Sequence, residues 1–171
     1  MGWVKLHGEF SGKEEGQETE DEISRRWKAS EAAGMLRPTM IADIARNCVS
    51  CHVVPHEDLV NVGGHPAGSD FELVSWSQGN IRHNNFYTKG SENKIASVER
   101  QRLLYVVGIL AEMELVLKTV GTAKEVGNYA KANARRVGAL RQKLAAATAA
   151  TKHPELLKAL NAVGKLKMSL K

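Results

Sequence analysis

Apolar residues recur at helical spacing through the second half of the chain. A stripe spaced three and four residues apart predicts one helix over residues 96–120, and its members are Leu103, Val106, Leu110, Met113, Leu117 and Val120. A second set follows in heptad spacing, through Val126, Ala130, Asn133, Val137, Leu140, Leu144 and Ala147. The connection between the two sets is very short, so we expect an antiparallel helical hairpin.

Capping signals predict where other helices begin and end. Thr19–Glu22 and Thr122–Glu125 each fit a capping box, in which a Thr hydroxyl and a Glu carboxylate satisfy free N–H groups. Gly34 is suited to end the first of these helices. Pro38 and Pro154 are each suited to open a further helix, because proline is tolerated in the first helical turn. Together with the apolar patterns, these signals predict an all-α fold.

Two segments are not predicted as helices. Residues 1–18 are polar and Gly-rich, which predicts a flexible arm. Residues 53–95 contain several glycines and prolines, and a loop of this length in a compact domain is usually functional or wraps a ligand. This predicted loop has an apolar lining, formed by Phe71, Leu73, Val74, Trp76, Phe86 and Tyr87.

Five consecutive residues, Cys48-Val49-Ser50-Cys51-His52, carry the clearest chemical signal in the chain. In this pattern two thiols add across the vinyl groups of a haem, and the adjacent histidine coordinates the iron. Two cysteines and six histidines placed at random would match it on the order of 4 times in 10,000. The pattern therefore predicts one covalent haem c, held by Cys48, Cys51 and His52.

Two other kinds of site use closely spaced cysteines. A dithiol redox pair has the same spacing, but it normally follows a strand and needs no histidine. A structural zinc site needs four ligands, which Cys48, Cys51 and two of the histidines would supply. Both alternatives stay open, and haem c is the predicted cofactor.

The ligand on the side of the iron opposite His52 distinguishes an electron carrier, which has one, from a haem site that is open to small molecules. His65 and His83 lie in the predicted loop, and we expect one of them to bind the iron opposite His52, with His65 preferred. Arg82, beside the second of these histidines, is suited to pair with a haem propionate. Met113 belongs to the helical stripe, so we expect it in the core.

Four segments together resemble a module of bacterial multihaem cytochromes c. They are residues 48–52, 59–69, 71–79 and 82–84, with the sequences CVSCH, LVNVGGHPAGS, FELVSWSQG and RHN. The resemblance covers about residues 48–120 and implies periplasmic electron transfer by bis-histidine haems. This chain carries one motif, so it is either a single-haem relative or a piece whose other haems lie on another chain. In the second case, one loop histidine is free to serve the haem of a neighbouring chain.

Charge is distributed unevenly along a chain whose net charge is +5. Residues 1–36 carry eight acids and five bases, whereas residues 118–171 carry twelve bases and two acids, a net of +10. Such a region suits nucleic acid, a solvated helix face or docking onto an acidic redox partner. No recognition motif supports nucleic acid, so we expect redox protein partners. The predicted docking helix contains Lys131, Arg135, Arg136, Arg141 and Lys143.

The start of the chain and its apolar runs bear on location. No run of 18 apolar residues predicts a membrane span, and the polar first residues do not form a signal peptide. Haem c attachment normally takes place outside the cytoplasm. We therefore expect a mature or trimmed chain with a periplasmic or otherwise extracytoplasmic location.

The sequence predicts three parts in order along the chain. They are a flexible arm over residues 1–18, a haem c-binding region over 19–95, and a helical hairpin with a basic C-terminal helix over 96–171. The predicted function is electron transfer, with the chain acting as a carrier rather than an enzyme. The alternatives are a haem enzyme or gas-binding protein with an open distal side, and a structural subunit that joins other cytochrome subunits in an oligomer.

Overall fold

The computed structural model describes residues 2–79 and 94–167. The chain divides into two compact units, Met1–Met40 and Ile41–Lys171. The described residues form eight α-helices and one 3₁₀ helix, and their β pairing is a single bridge between Val53 and Gly68. The predicted all-α fold is confirmed. Among the described helices, none is long and apolar enough to cross a membrane.

The first unit contains α1 (Gly2–Gly8), a 3₁₀ helix (Phe10–Gly12) and α2 (Glu20–Ala32). The capping box predicted for α2 is confirmed: the Thr19 hydroxyl accepts from the Glu22 N–H, and the Glu22 carboxylate accepts from the Thr19 N–H at 2.8 Å. Lys13 donates to the same carboxylate at 2.7 Å, and these contacts lower the pKa of Glu22 to about 2. Gly34, just beyond the helix, has φ +98°, which suits its predicted role as a stop.

The segment predicted as an arm contains α1 and the 3₁₀ helix. Arg26 of α2 holds this segment by polar contacts. Its guanidinium pairs with the Glu18 carboxylate, donates to the His7 carbonyl oxygen at 2.7 Å and lies 4.8 Å from the centre of the Phe10 ring. The side chains of the ion pair are 9% and 2% exposed. Trp3, Leu6 and Phe10 are half-buried and lie three and four residues apart, so a short apolar face accompanies these polar contacts.

The second unit contains α3 (Ile41–His52), α4 (Glu57–Asn61), α5 (Leu73–Gln78), α6 (Val98–Thr122), α7 (Asn128–Thr151) and α8 (Pro154–Gly164). The central helix is α6, which packs against α3, α5 and α7, while α4 and α8 pack against α7. The segment predicted as a loop over residues 53–95 holds α4 and α5 in its described part. These helices have five and six residues, too few for a helical period to appear in the sequence.

The buried face of α6 differs from the predicted stripe. Leu104, Ile109 and Val116 are buried, whereas Leu103 of the predicted stripe is 49% exposed. Three helices cover α6, so its apolar residues extend around much of its surface and no single stripe marks one partner. Met113 is buried in the core, as predicted.

The helix α7 runs back along α6. Glu112 of α6 pairs with Arg136 of α7 at 2.9 Å, and the connection between the two helices is short, as antiparallel neighbours require. Five of the heptad residues are buried, namely Ala130, Asn133, Val137, Leu140 and Leu144. Val126 precedes the helix and is 57% exposed. The antiparallel hairpin is therefore confirmed, with a buried face that begins after the predicted first position.

Two of the predicted helix starts are wrong. The capping box Thr122–Glu125 does not open a helix, because its threonine ends α6 and α7 begins at Asn128. Pro38 lies in a turn that precedes α3, which begins at Ile41. Pro154 does occupy the first turn of α8, as predicted.

Residues of α4 satisfy the N–H groups at the α6–α7 connection. The Glu57 carboxylate accepts hydrogen bonds from the Lys124 and Glu125 N–H groups, at 2.8 and 3.2 Å. The side-chain oxygen of Asn61 accepts from the Tyr129 N–H at 2.9 Å, in the first turn of α7. A distant helix thus supplies the cap that the local sequence was predicted to supply.

Candidate functional site

The last turns of α3 carry the predicted attachment motif. Cys48, Cys51 and His52 are separated by three and four residues, so their side chains leave the same side of the helix. A buried stripe fixes α3 in the core, and it consists of Ile41, Ala45 and Val49. The motif therefore lies on a packed helix and not on a loop.

The two thiols differ in exposure. Cys48 is partly buried against the core, and Cys51 is exposed. Burial, and secondarily the nearby Cys51, raise the pKa of the Cys48 thiol. Both residues lie toward the C-terminal end of α3, where the helix dipole disfavours a thiolate. Reactive dithiol pairs depend on lowered thiol pKa values, often at helix N-termini, so this arrangement disfavours the dithiol alternative.

The His52 ring is held at one edge and on one face. Its Nδ1 is joined to the Ser69 hydroxyl by a hydrogen bond of 2.9 Å. The Phe71 ring stacks on it, with centroids 4.2 Å apart and an interplanar angle of 16°. The Trp76 ring lies 5.0 Å away at 59°. These contacts orient the imidazole, and among the described residues its Nε2 has no hydrogen-bond partner.

Ser69 reaches His52 because two short segments pair after α3. Val53 forms the β-bridge with Gly68, and the Ser69 N–H donates to the His52 carbonyl oxygen at 3.0 Å. Gly68 has φ +154°, and a Cβ at this position would lie 2.8 Å from the same carbonyl oxygen. Only glycine allows the backbone to pass so close to the end of the motif.

His65, the preferred distal ligand, has different surroundings. Its side chain is exposed, and its Nδ1 lies 2.8 Å from the carbonyl oxygen of Pro66. Its backbone N–H donates to the Leu59 carbonyl oxygen at 3.1 Å. Within residues 2–79 and 94–167, no three His, Cys, Asp or Glu side chains cluster closely enough to hold a metal ion. The structure therefore brings neither His65 nor a set of zinc ligands to the motif in this part of the chain.

His83 and Arg82 lie outside the described residues, as do two aromatic residues of the predicted loop lining. Their roles as alternative distal ligand and propionate partner stay predictions. Of the lining that is described, Phe71 and Leu73 are buried, and Trp76 is 47% exposed.

Two residues near His52 were missed by sequence reasoning, namely Ser69 and Arg136. The Arg136 Nη1 donates to the Ser69 carbonyl oxygen at 3.1 Å and to the Glu112 carboxylate at 2.9 Å. Arg136 had been predicted as part of a docking surface, but these contacts engage it inside the fold. The available signal was Glu112, a carboxylate within an apolar helix, which needs a buried partner.

A cleft of about 440 Å³ is lined by the Ser69 segment and by α7. Ser69 and Phe71 line one side, and Arg135 and Lys143 line the other. Both bases are exposed, and neither forms an ion pair with the described residues. The carboxylates of Asp70, Glu72 and Glu112 line the same cleft, so the positive charges near the motif lie beside negative ones.

Comparisons of the chain with protein families, with curated proteins and with solved structures found no significant match. The resemblance to bacterial multihaem cytochromes c rests on the sequence segments alone and stays a prediction. Function therefore has to be inferred from the residues of the site.

Proposed function

We propose that this chain is a c-type cytochrome that binds one haem c and transfers electrons. The observation that carries the proposal is the placement of Cys48, Cys51 and His52 on one side of α3, at its C-terminal end. One thiol is exposed and the other is partly buried, so a haem laid against this side can meet both. The Ser69 hydroxyl already engages the His52 Nδ1, which leaves Nε2 as the nitrogen for iron.

The side chains around the motif fit a haem. Phe71 and Trp76 both contact the His52 ring, and Trp76 is 47% exposed. Contact with a flat apolar macrocycle would bury that exposed indole. An apolar wall beside the ligand also restricts water, which is one of the means by which a protein sets a haem potential.

When bound, haem supplies an iron that changes between Fe(III) and Fe(II). The thiols of Cys48 and Cys51 and the imidazole of His52 would hold the haem, and Ser69 and Phe71 orient that imidazole. We propose that His65 or His83 would supply a second protein ligand to the iron, which would suit electron transfer rather than the binding of gases. Arg82 is the proposed partner of a propionate.

The proposal also implies a cellular location and a class of partner protein. Haem c attachment takes place outside the cytoplasm, so the proposed location is periplasmic or otherwise extracytoplasmic. The net charge of +10 over residues 118–171, which includes the exposed bases Arg135 and Lys143, supports an acidic redox protein as partner, including other cytochrome subunits.

Covalent attachment tests the proposal directly. When the full-length chain is exported in cells with a haem c maturation system, the colour should stay with the polypeptide after acid–acetone extraction, and the intact mass should increase by one haem. Cys48→Ser combined with Cys51→Ser should lose both signals. His56→Ala is the matched control, since His56 is exposed and outside the motif. Haem that is extracted from the wild-type chain, or no added mass, would refute the proposal.

Spectra of single variants test the second ligand. In the loaded protein, either His65→Ala or His83→Ala should convert a low-spin iron to a high-spin one and open it to carbon monoxide. His56→Ala should leave the spectrum unchanged. Rapid carbon monoxide binding by the reduced wild-type protein would instead favour the alternative of an open haem site. If neither substitution changes the spectrum, both histidines are rejected as ligands.

A further inference from the structure

Ser69 contacts the proposed iron ligand at two points. Its N–H donates to the His52 carbonyl oxygen at 3.0 Å, and its hydroxyl is hydrogen-bonded to the His52 Nδ1 at 2.9 Å. One residue therefore fixes both the backbone at the end of α3 and the ring that leaves it. Phe71, two residues later, stacks on the face of the same ring and limits its rotation.

Ser69 is itself held by a partly buried ion pair. Arg136 of α7 donates from Nη1 to the Ser69 carbonyl oxygen at 3.1 Å and to the Glu112 carboxylate of α6 at 2.9 Å. The two charged side chains are 20% and 9% exposed. A carboxylate as buried as Glu112 requires its partner, so Arg136 is not free to move away from Ser69.

The chain passes between Arg136 and His52 without spare room. A Cβ at Gly68 would lie 2.6 Å from the Arg136 Nη2 and 2.8 Å from the His52 carbonyl oxygen. A displacement of Ser69 would have to move a side chain of α7 or the end of α3, and both helices pack on α6. Ser69 is thus fixed from two sides.

We infer that Ser69 is a positioning residue for His52, and that Arg136 and Glu112 hold Ser69 in place. As acceptor, the Ser69 hydroxyl keeps the ring proton on Nδ1 and leaves the lone pair on Nε2. An acceptor at this position also makes the imidazole a stronger donor to a metal. Iron ligation by His52 belongs to the proposed function, on which the inference rests, but the position of the proton is a property of the chain alone.

The proton position can be measured by ¹⁵N-histidine NMR on the haem-free full-length chain. Neutral imidazole in water favours the proton on Nε2, so an Nδ1–H form of His52 is a distinctive result. Ser69→Ala should move the proton toward Nε2, whereas Ser69→Thr keeps the hydroxyl and should keep the wild-type form. Ser50→Ala is the matched control, because the Ser50 hydroxyl bonds the Asn47 carbonyl oxygen within α3 at 2.7 Å.

Arg136 provides a second variant that leaves Ser69 unchanged. Arg136→Gln removes the guanidinium that holds the Ser69 carbonyl, so it should give a mixture of the two proton positions. Arg135→Gln changes the adjacent, exposed arginine and should retain the wild-type form. If circular dichroism shows that Arg136→Gln does not fold, Ser69→Ala decides the matter.

The reduction potential of the haem-loaded chain is an independent readout. Without the Ser69 acceptor, His52 donates less strongly to Fe(III), so Ser69→Ala should shift the potential upward and Ser69→Thr should restore it. A wild-type proton on Nε2, or a Ser69→Ala chain with unchanged proton position and potential, would overturn the inference. Failure of haem to attach would refute the proposed function instead, and the NMR result would still decide the role of Ser69.

Discussion

The two histidines that the sequence ranked as iron ligands stand in unlike surroundings. His52 ends a helix whose other side is in the core, and its ring contacts Ser69 and Phe71, which follow in a separate segment. His65 is exposed, and its ring lies against the carbonyl of the next residue, Pro66. Tertiary contacts fix the first ring, whereas the second is engaged locally.

If both histidines bind iron as proposed, this difference would give two ways of supplying a ligand. A ligand that is oriented before the cofactor arrives loses little conformational freedom on binding. An exposed ligand can approach an iron of its own chain or of a neighbouring chain. Substitutions near His52 should therefore change both stability and site geometry, whereas substitutions near His65 should leave stability almost unchanged.

Two leucines should show the largest contrast between these regions. Leu73 of α5 is 2% exposed and lies against Gly108 of α6, whereas Leu59 of α4 is 45% exposed. Leu73→Ala should lower the free energy of unfolding by about 3 kcal/mol, because it leaves a cavity. Leu59→Ala should lower it by about 0.5 kcal/mol. Urea unfolding measures both values, and equal losses would remove the contrast.

Two glycines offer a finer comparison. Gly68 has φ +154° and no room for a Cβ beside His52, whereas Gly64 has φ +69° with open space around it. Gly68→Ala should cost about 2 kcal/mol, from backbone strain and displaced neighbours, and should shift the His52 ring resonances. Gly64→Ala should cost about 1 kcal/mol from strain alone and leave those resonances in place. Matching spectral changes in the two variants would show that Gly68 has no special relation to the motif.

The smallest effect is expected from reversing the charge of one of two adjacent arginines, and it is an effect on the rate of reduction. Arg136 is engaged with Glu112, but Arg135 is exposed in the cleft and is the residue of the pair that can attract an anion. Arg135→Glu should slow reduction of the loaded protein by reduced flavin mononucleotide several-fold at about 0.1 M salt, where the Debye length is about 10 Å. Reduction by uncharged lumiflavin should not change. The control is Lys118→Glu on the exposed surface of α6, and an equal slowing there would contradict a local effect.

The sequence predicted the long helices because each has enough turns for a repeating pattern to emerge. The predicted helix over residues 96–120 is observed as Val98–Thr122. Its most buried residues were assigned less well, because three packed helices leave no single polar face. The start of α7 was wrong for a different reason: Glu57 and Asn61 satisfy N–H groups around it, and no local pattern reports a contact from a distant helix.

For the candidate site, the sequence identified the residues that are contiguous and missed those that only the fold brings near. The cysteines and His52 stood out because their spacing is the one that haem c attachment, as proposed, would require. Ser69 and Arg136 are 67 residues apart, so their hydrogen bond leaves no trace in local spacing. Arg136 was grouped with the docking residues because the local density of positive charge cannot distinguish an arginine engaged within the fold from an exposed one.

The hydrogen bonds by which α4 caps the α6–α7 connection also couple the folding of two segments that are far apart in the sequence. The hydrogen bonds that Glu57 and Asn61 accept join groups 67 or 68 residues apart, so they form only after a long stretch of chain has closed. The first turn of α7 should therefore become protected from hydrogen exchange together with the segment that follows the motif, and later than the middle of its own helix. Folding of the hairpin and closure of the motif region become one cooperative event.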